Sequence, residues 1–247
     1  MFVVAIAELK GSADGLAQLA IELGTTAYEL KLTLGAGFPA VVMATVDEAR
    51  ATNAMAAIRR HGHLAVMCDR RTIVPSSAMT SLRDFQLEPD AIASSATSSE
   101  RLPYADVLAM LRASHRSTST STEEVKERKL RPGMAIMTGG LIMSKKTTRE
   151  VTTRTETREQ VLYLFRKSGA PPWILRERGA RYMGLLADLR PTSLENFGTT
   201  IRRLQELAPS AFYDERLMSG RPIRGVADGV VATDILAYLL AAHLGVC

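Results

Sequence analysis

Leu23-Gly24-Thr25-Thr26-Ala27-Tyr28-Glu29-Leu30-Lys31, with Thr45-Val46-Asp47-Glu48-Ala49 and His61-Gly62-His63 after it, decides the fold of the amino-terminal third of this chain. In the first stretch a glycine ends one helix and Thr25 or Thr26 can cap the next, since a hydroxyl there accepts from an amide that the first helical turn leaves bare. In the second, Thr45 and Glu48 have the spacing of a capping box and predict a helix from Val46 to about Arg60. Ala51, Met55 and Ile58 form its apolar stripe, Arg59 and Arg60 sit at its negative end, and Gly62 supplies a left-handed stop. Outward from these markers, Phe2 to Ala7, Pro39 to Ala44 and Leu64 to Cys68 are short apolar runs of strand length. Leu16, Leu19, Ala20 and Leu23 recur at helical spacing, whereas Tyr28, Leu30, Leu32 and Leu34 fit either a helix or a strand. The expected order is β-α-α-β-α-β.

That order, carried by Gly24, Glu29-Leu30-Lys31, the small-residue turn from Gly35 to Pro39, Asp47-Glu48-Ala49 and Gly62, resembles the C-terminal domain of the bacterial ribosomal stalk protein. The adaptor of the Clp protease shares this fold. The likeness covers residues 2 to about 70. In those families the domain recruits translation GTPases or presents degradation substrates and performs no chemistry. The stalk domain's first helices present several lysines, whereas here Leu16 to Leu23 carries only Glu22 as a charge and Lys31 is the one basic match. What the resemblance implies is therefore a protein-docking module rather than a GTPase recruiter.

The rest of the chain predicts an α+β protein of two domains, residues 1–92 and 103–247, joined by a linker at 93–102 whose small polar residues bury too little surface to repay their ordering. Ser117 to Thr122 reads as a loop by composition, and Met134 to Met143 as a hairpin around Thr138-Gly139-Gly140. Val161 to Phe165 and Trp173 to Leu175 read as antiparallel strands. Thr192 and Glu195 open an amphipathic helix, and Val230 to Val246, interrupted by Asp234, reads as a buried terminal helix too broken to span a membrane. This β region with helices after it has an element order similar to a pleckstrin-homology barrel.

Composition narrows the function classes. Hydrophobic residues make up 46% and charged residues 23%, which is globular rather than disordered. Cys68 and Cys247 cannot form a disulfide framework, and the apolar start meets Glu8 without a basic leader, so a reducing, cytoplasmic setting is expected. The net charge is +5, and between Arg112 and Arg181 sixteen Lys or Arg face seven Asp or Glu. Within that stretch Lys145, Lys146, Arg149, Arg154 and Arg158 form a run suited to the phosphates of nucleic acid or of lipid headgroups.

No residue set assembles into a catalytic site. His61, His63 and Cys68 have metal-ligand chemistry but lack a fourth ligand, and the two histidines also suit a helix terminus. His115, beside the Ser/Thr run, reads as a mobile histidine in polar surroundings. No Gly-x-Ser-x-Gly elbow occurs, and Gly133 to Gly140 lacks the Gly-Lys-Ser/Thr ending of a phosphate loop. Trp173 beside Ile174 reads as core, and Asp214-Glu215-Arg216 as a salt-bridged corner. The expected function is a non-enzymatic adaptor with an unknown protein partner and neither metal nor cofactor, the alternative being a protein that binds nucleic acid or anionic lipid through the basic run.

Overall fold

A computed structural model describes residues 1–10, 15–94, 100–130, 144–219, 223, 225, 226 and 228–245, with 118–130 and 144–155 described by backbone alone. The amino-terminal order is the expected one: β1 (Phe2–Glu8), α1 (Leu16–Leu23), α2 (Ala27–Gly35), β2 (Ala40–Thr45), α3 (Glu48–Arg60) and β3 (Leu64–Asp69). The three strands form an antiparallel sheet in the order β2-β1-β3. Thr26 settles the ambiguous stretch as a helix. Its hydroxyl accepts from the Glu29 amide while the Glu29 carboxylate takes the Thr26 amide. Leu30 and Leu34 then point inward, and Tyr28 and Leu32 lie on the exposed side of the same helix.

At α3 the cap moves. Asp47, not Thr45, accepts from the Arg50 amide, and the Thr45 hydroxyl instead accepts from the Asp47 amide, so the helix begins two residues later than the capping-box spacing predicts. Gly62 adopts the expected left-handed conformation, with φ of 82°.

Beyond β3 come β4 (Thr80–Ser81), β5 (Phe85–Leu87), β6 (Ala91–Ser94), β7 (Glu100–Pro103), β8 (Val107–Leu130), β9 (Ser144–Arg166), β10 (Trp173–Arg176), α4 (Ser193–Leu207), β11 (Phe212–Leu217) and α5 (Gly229–His243). A five-stranded sheet has the order β11-β8-β9-β10-β4, and a smaller antiparallel one the order β5-β6-β7. The fold is α+β. The β9–β10 pair is antiparallel as expected, but β4 and β11 join the edges of the large sheet in parallel, so these strands depart from a pleckstrin-type meander.

Two expectations about organisation need correction. Ala93, Ser94 and Glu100 to Leu102 of the expected linker lie in β6 and β7, which pair from Ala91 opposite Pro103 to Ser94 opposite Glu100, burying Ile92 and Leu102. Segments on both sides of the expected boundary share sheets and cores: the compact unit comprises residues 1–116 with 158–247, and 117–157 form a second unit. Ser117 to Thr122 belongs to β8 rather than to a loop, because threonines at alternate positions satisfy a strand as well as a polar tract satisfies a turn. The hairpin expected at Met134 to Met143 lies outside the described residues.

Strand alternation divides the compact unit into three cores. Phe2, Val4 and Ile6 face α1, α2 and α3. Val3, Ala5 and Ala7 face the opposite way, joining Ala109, Leu111 and Ala113 of β8, Val161, Tyr163 and Phe165 of β9, and Ile174 of β10 around α5. Leu162, Leu164, Trp173 and Leu175 cover the far side with Phe197, Ile201 and Leu204 of α4. Every residue of α5 from Ala232 to Ala241 is buried, as an all-round apolar helix requires. Gly229 lets its first turn abut β8, since a Cβ there would lie 2.7 Å from the Arg116 carbonyl oxygen. Among the described residues no helix is long and apolar enough to cross a membrane.

Candidate functional site

The strand period that places apolar side chains against α5 places polar ones there too. Tyr163 lies between Val161 and Phe165, His115 follows Ala113, and Arg176 follows Ile174, each on the side that faces α5. From α5 comes Asp234, the one carboxylate of that helix. Asp234 is 2% exposed and His115 3%, so both must find partners inside the protein.

They find each other through Tyr163. The tyrosine hydroxyl donates to Asp234 Oδ1 at 2.6 Å, and the Ser76 amide donates to Asp234 Oδ2 at 2.9 Å. A hydroxyl has one proton, and here the carboxylate takes it. The contact of 2.5 Å between the Tyr163 oxygen and His115 Nε2 therefore requires Nε2 to carry the hydrogen and donate it. His115 Nδ1 is then the bare nitrogen, and Arg176 Nη1 approaches it at 3.4 Å. Arg176 also donates through Nη2 to the Ser76 carbonyl at 3.2 Å and lies 3.6 Å from the Glu159 carboxylate. Hydrogen bonds thus run in one direction, from the Arg176 guanidinium through His115 and Tyr163 to Asp234. Tyr238, one turn beyond Asp234, accepts from the Val74 amide at 3.1 Å, so α5 grips the Val74–Ser76 segment at two points.

The charges follow from burial. Desolvation, aided by the nearby Arg176 charge, lowers the His115 pKa to about 4, so the imidazole is neutral at neutral pH. Burial raises the Asp234 pKa against the pull of its donors, and burial together with the aspartate raises that of Tyr163 well above its ordinary value. With both ring nitrogens engaged, His115 holds Arg176 in place rather than activating a serine.

Arg176 opens onto a cleft of about 870 Å³ lined also by Ser77, Ser81, Arg83, Asp84 and Arg181. Its wall is the parallel β4–β10 ladder, prolonged by the Leu82 amide donating to the Ile174 carbonyl at 2.9 Å and the Arg181 amide donating to the Arg83 carbonyl at 2.6 Å. Arg83 and Arg181 are exposed, and the Arg181 guanidinium lies 3.8 Å from Asp84.

A second concavity, of about 560 Å³, lies beside α2 and β2, with Met1 and Gly225 completing its lining. Thr25, Glu29, Leu32 and Thr33 line it from the helix and Val41 to Ala44 from the strand. Tyr28 and Leu32 are 71% and 57% exposed. Beside it β2, with no charged residue from Ala40 to Thr45, has β1 as its neighbour on one side and forms the edge of its sheet on the other.

Comparison with known proteins gives no match to a family model, a curated protein or a solved structure.

The residues singled out by sequence are dispersed. Lys145, Lys146, Arg149 and Arg154 lie on β9, with side chains outside the described residues, and Arg158 is an exposed residue of the compact unit. His61 bonds Glu22 at 3.0 Å, while His63 and Cys68 are buried; no group of three metal-ligating side chains forms among the described residues. Trp173 is core, and Arg216 pairs with Asp214. His115 is the correction: it is packed and bonded, not mobile. Arg83, Arg176 and Arg181 were hidden in an ordinary scatter of arginines. A lone carboxylate in the apolar run that became α5 was the available signal, because a buried charge demands a partner.

Proposed function

We propose that the protein is a non-enzymatic adaptor whose amino-terminal α/β layer docks an extended peptide segment of a partner protein along β2. The observation that carries this reading is the groove beside α2 and the edge strand β2. An edge strand offers unpaired amides and carbonyls, so an incoming strand gains main-chain hydrogen bonds, and alternate side chains of that strand meet Leu32, Val42 and Met43 on the α2 side. The likeness of this layer to docking domains supports the same conclusion.

Selection of peptides from a random displayed library on the full chain tests it. Apolar, β-prone sequences are expected, and Leu32→Glu should abolish their binding while leaving the fold intact, since Leu32 is largely exposed. Failure to enrich any sequence, or retention of binding by Leu32→Glu, would remove the proposal.

A further inference from the structure

The groove along β2 leaves the arginine cleft unexplained. We propose that this cleft is a binding site for the phosphate-monoester group of a small molecule. Three arginines, Arg83, Arg176 and Arg181, line one concavity with Ser77 and Ser81. Guanidinium is the side chain best matched to phosphate, because its donors form a planar fork that pairs with two oxygens at once. Surface arginines usually wave freely; Arg176 does not. Its orientation is fixed by His115, by the Ser76 carbonyl and by Glu159 before any ligand arrives, which removes part of the ordering cost of binding.

Charge selects the ligand further. Against Asp84 in the lining and Glu159 beside Arg176, the three arginines keep a positive excess that attracts an anion, and a monoester offers them three terminal oxygens where a carboxylate or a phosphodiester offers two. Part of the Arg176 charge is answered by Glu159, so Arg83 and Arg181 supply most of the attraction while Arg176 supplies direction. Volume selects as well: about 870 Å³ exceeds what a bare phosphate ion fills and leaves room for an organic group. Asp84, 3.8 Å from Arg181, is placed to accept from a hydroxyl on that group. The fold keeps these residues together because β4 and β10 pair in parallel, bringing Ser81 and Arg83 alongside Arg176 although they are far apart in sequence.

Calorimetric titration of the full chain with glycerol 3-phosphate, inorganic phosphate and dimethyl phosphate, at matched ionic strength, tests the proposal. Saturable binding of glycerol 3-phosphate is expected, at least about tenfold tighter than dimethyl phosphate, a difference of about 1.4 kcal/mol. The double variant Arg83→Ala/Arg181→Ala removes exposed side chains, so it should melt like the parent without ligand and bind the ester at least about tenfold more weakly. Unchanged ester binding in that variant, no ester binding at millimolar concentration, or an equal response to sodium chloride would each overturn the proposal. Binding of inorganic phosphate alone would overturn the volume argument and with it the ester. A fourth arm with a short DNA duplex separates the macromolecular alternative: duplex binding that glycerol 3-phosphate cannot displace, lost in the same variant, would assign the arginines to nucleic acid instead.

Discussion

The groove beside β2 and the arginine cleft are built on opposite principles. The groove beside β2 is framed by α2 and an edge strand whose inner sides rest on apolar packing. The arginine cleft is anchored through Arg176 and Ser76 to buried polar groups on β8, β9 and α5. A groove of the first kind can change its lining cheaply, whereas in the second a change at Arg176 reaches the interior. Adaptability and fixity are separated within one chain.

Removing the end of the hydrogen-bond chain should break that contrast most severely. Asp234→Ala leaves the Tyr163 hydroxyl and the Ser76 amide without an acceptor in a dry interior, and a loss of about 3–5 kcal/mol is expected in denaturant unfolding. A loss below 1 kcal/mol would show that water replaces the carboxylate.

Acid should act on the same side of the comparison. The unfolded His115 takes up a proton near its ordinary value of 6.5, whereas the folded one resists until about 4. Below 6.5 the unfolded chain therefore binds more protons, and this contribution to stability is full above that pH and is lost as pH falls toward 4, amounting to about 3 kcal/mol. Asp234, with its pKa raised in the folded state, acts in the opposite sense and offsets part of the loss. His115→Gln isolates the effect: its stability relative to the parent should improve steadily from pH 6.5 to 4, and parallel pH profiles would refute the assignment.

Tyr163→Phe interrupts the chain while keeping its volume and should cost about 1–2 kcal/mol. It also frees the imidazole, so resolved NMR signals of the Arg176 guanidinium should broaden. On the other side of the comparison, Leu32→Glu should change stability by no more than about 0.5 kcal/mol, because its side chain is exposed on α2. A larger loss would mean that the groove is integral to the core.

What could be read from the sequence follows from distance along the chain. The capping boxes at Thr26–Glu29 and Thr192–Glu195 join residues three apart, so their chemistry is visible in a short window, and both are present. Thr45 misled because Asp47 two residues on is an equally good cap, and the start of α3 was decided by which of them came to sit at the turn. The chain from Arg176 to Asp234 joins partners separated by 48, 61 and 71 positions, which no local pattern reports. His115 was misread for a related reason: composition described the Ser/Thr run after it, whereas alternation from Ala109 through Leu111 and Ala113 put it in the interior.

Helix α5, buried from Ala232 to Ala241, also bears on how the chain matures. A ribosome delivers residues 229–243 after both sheets that flank them, so Val3, Ala5 and Ala7 must wait for their cover while more than two hundred residues are synthesised. Throughout that interval the nascent protein carries a naked apolar surface, a natural target for chaperones. A transcript truncated before α5 should yield aggregates rather than a stable fragment.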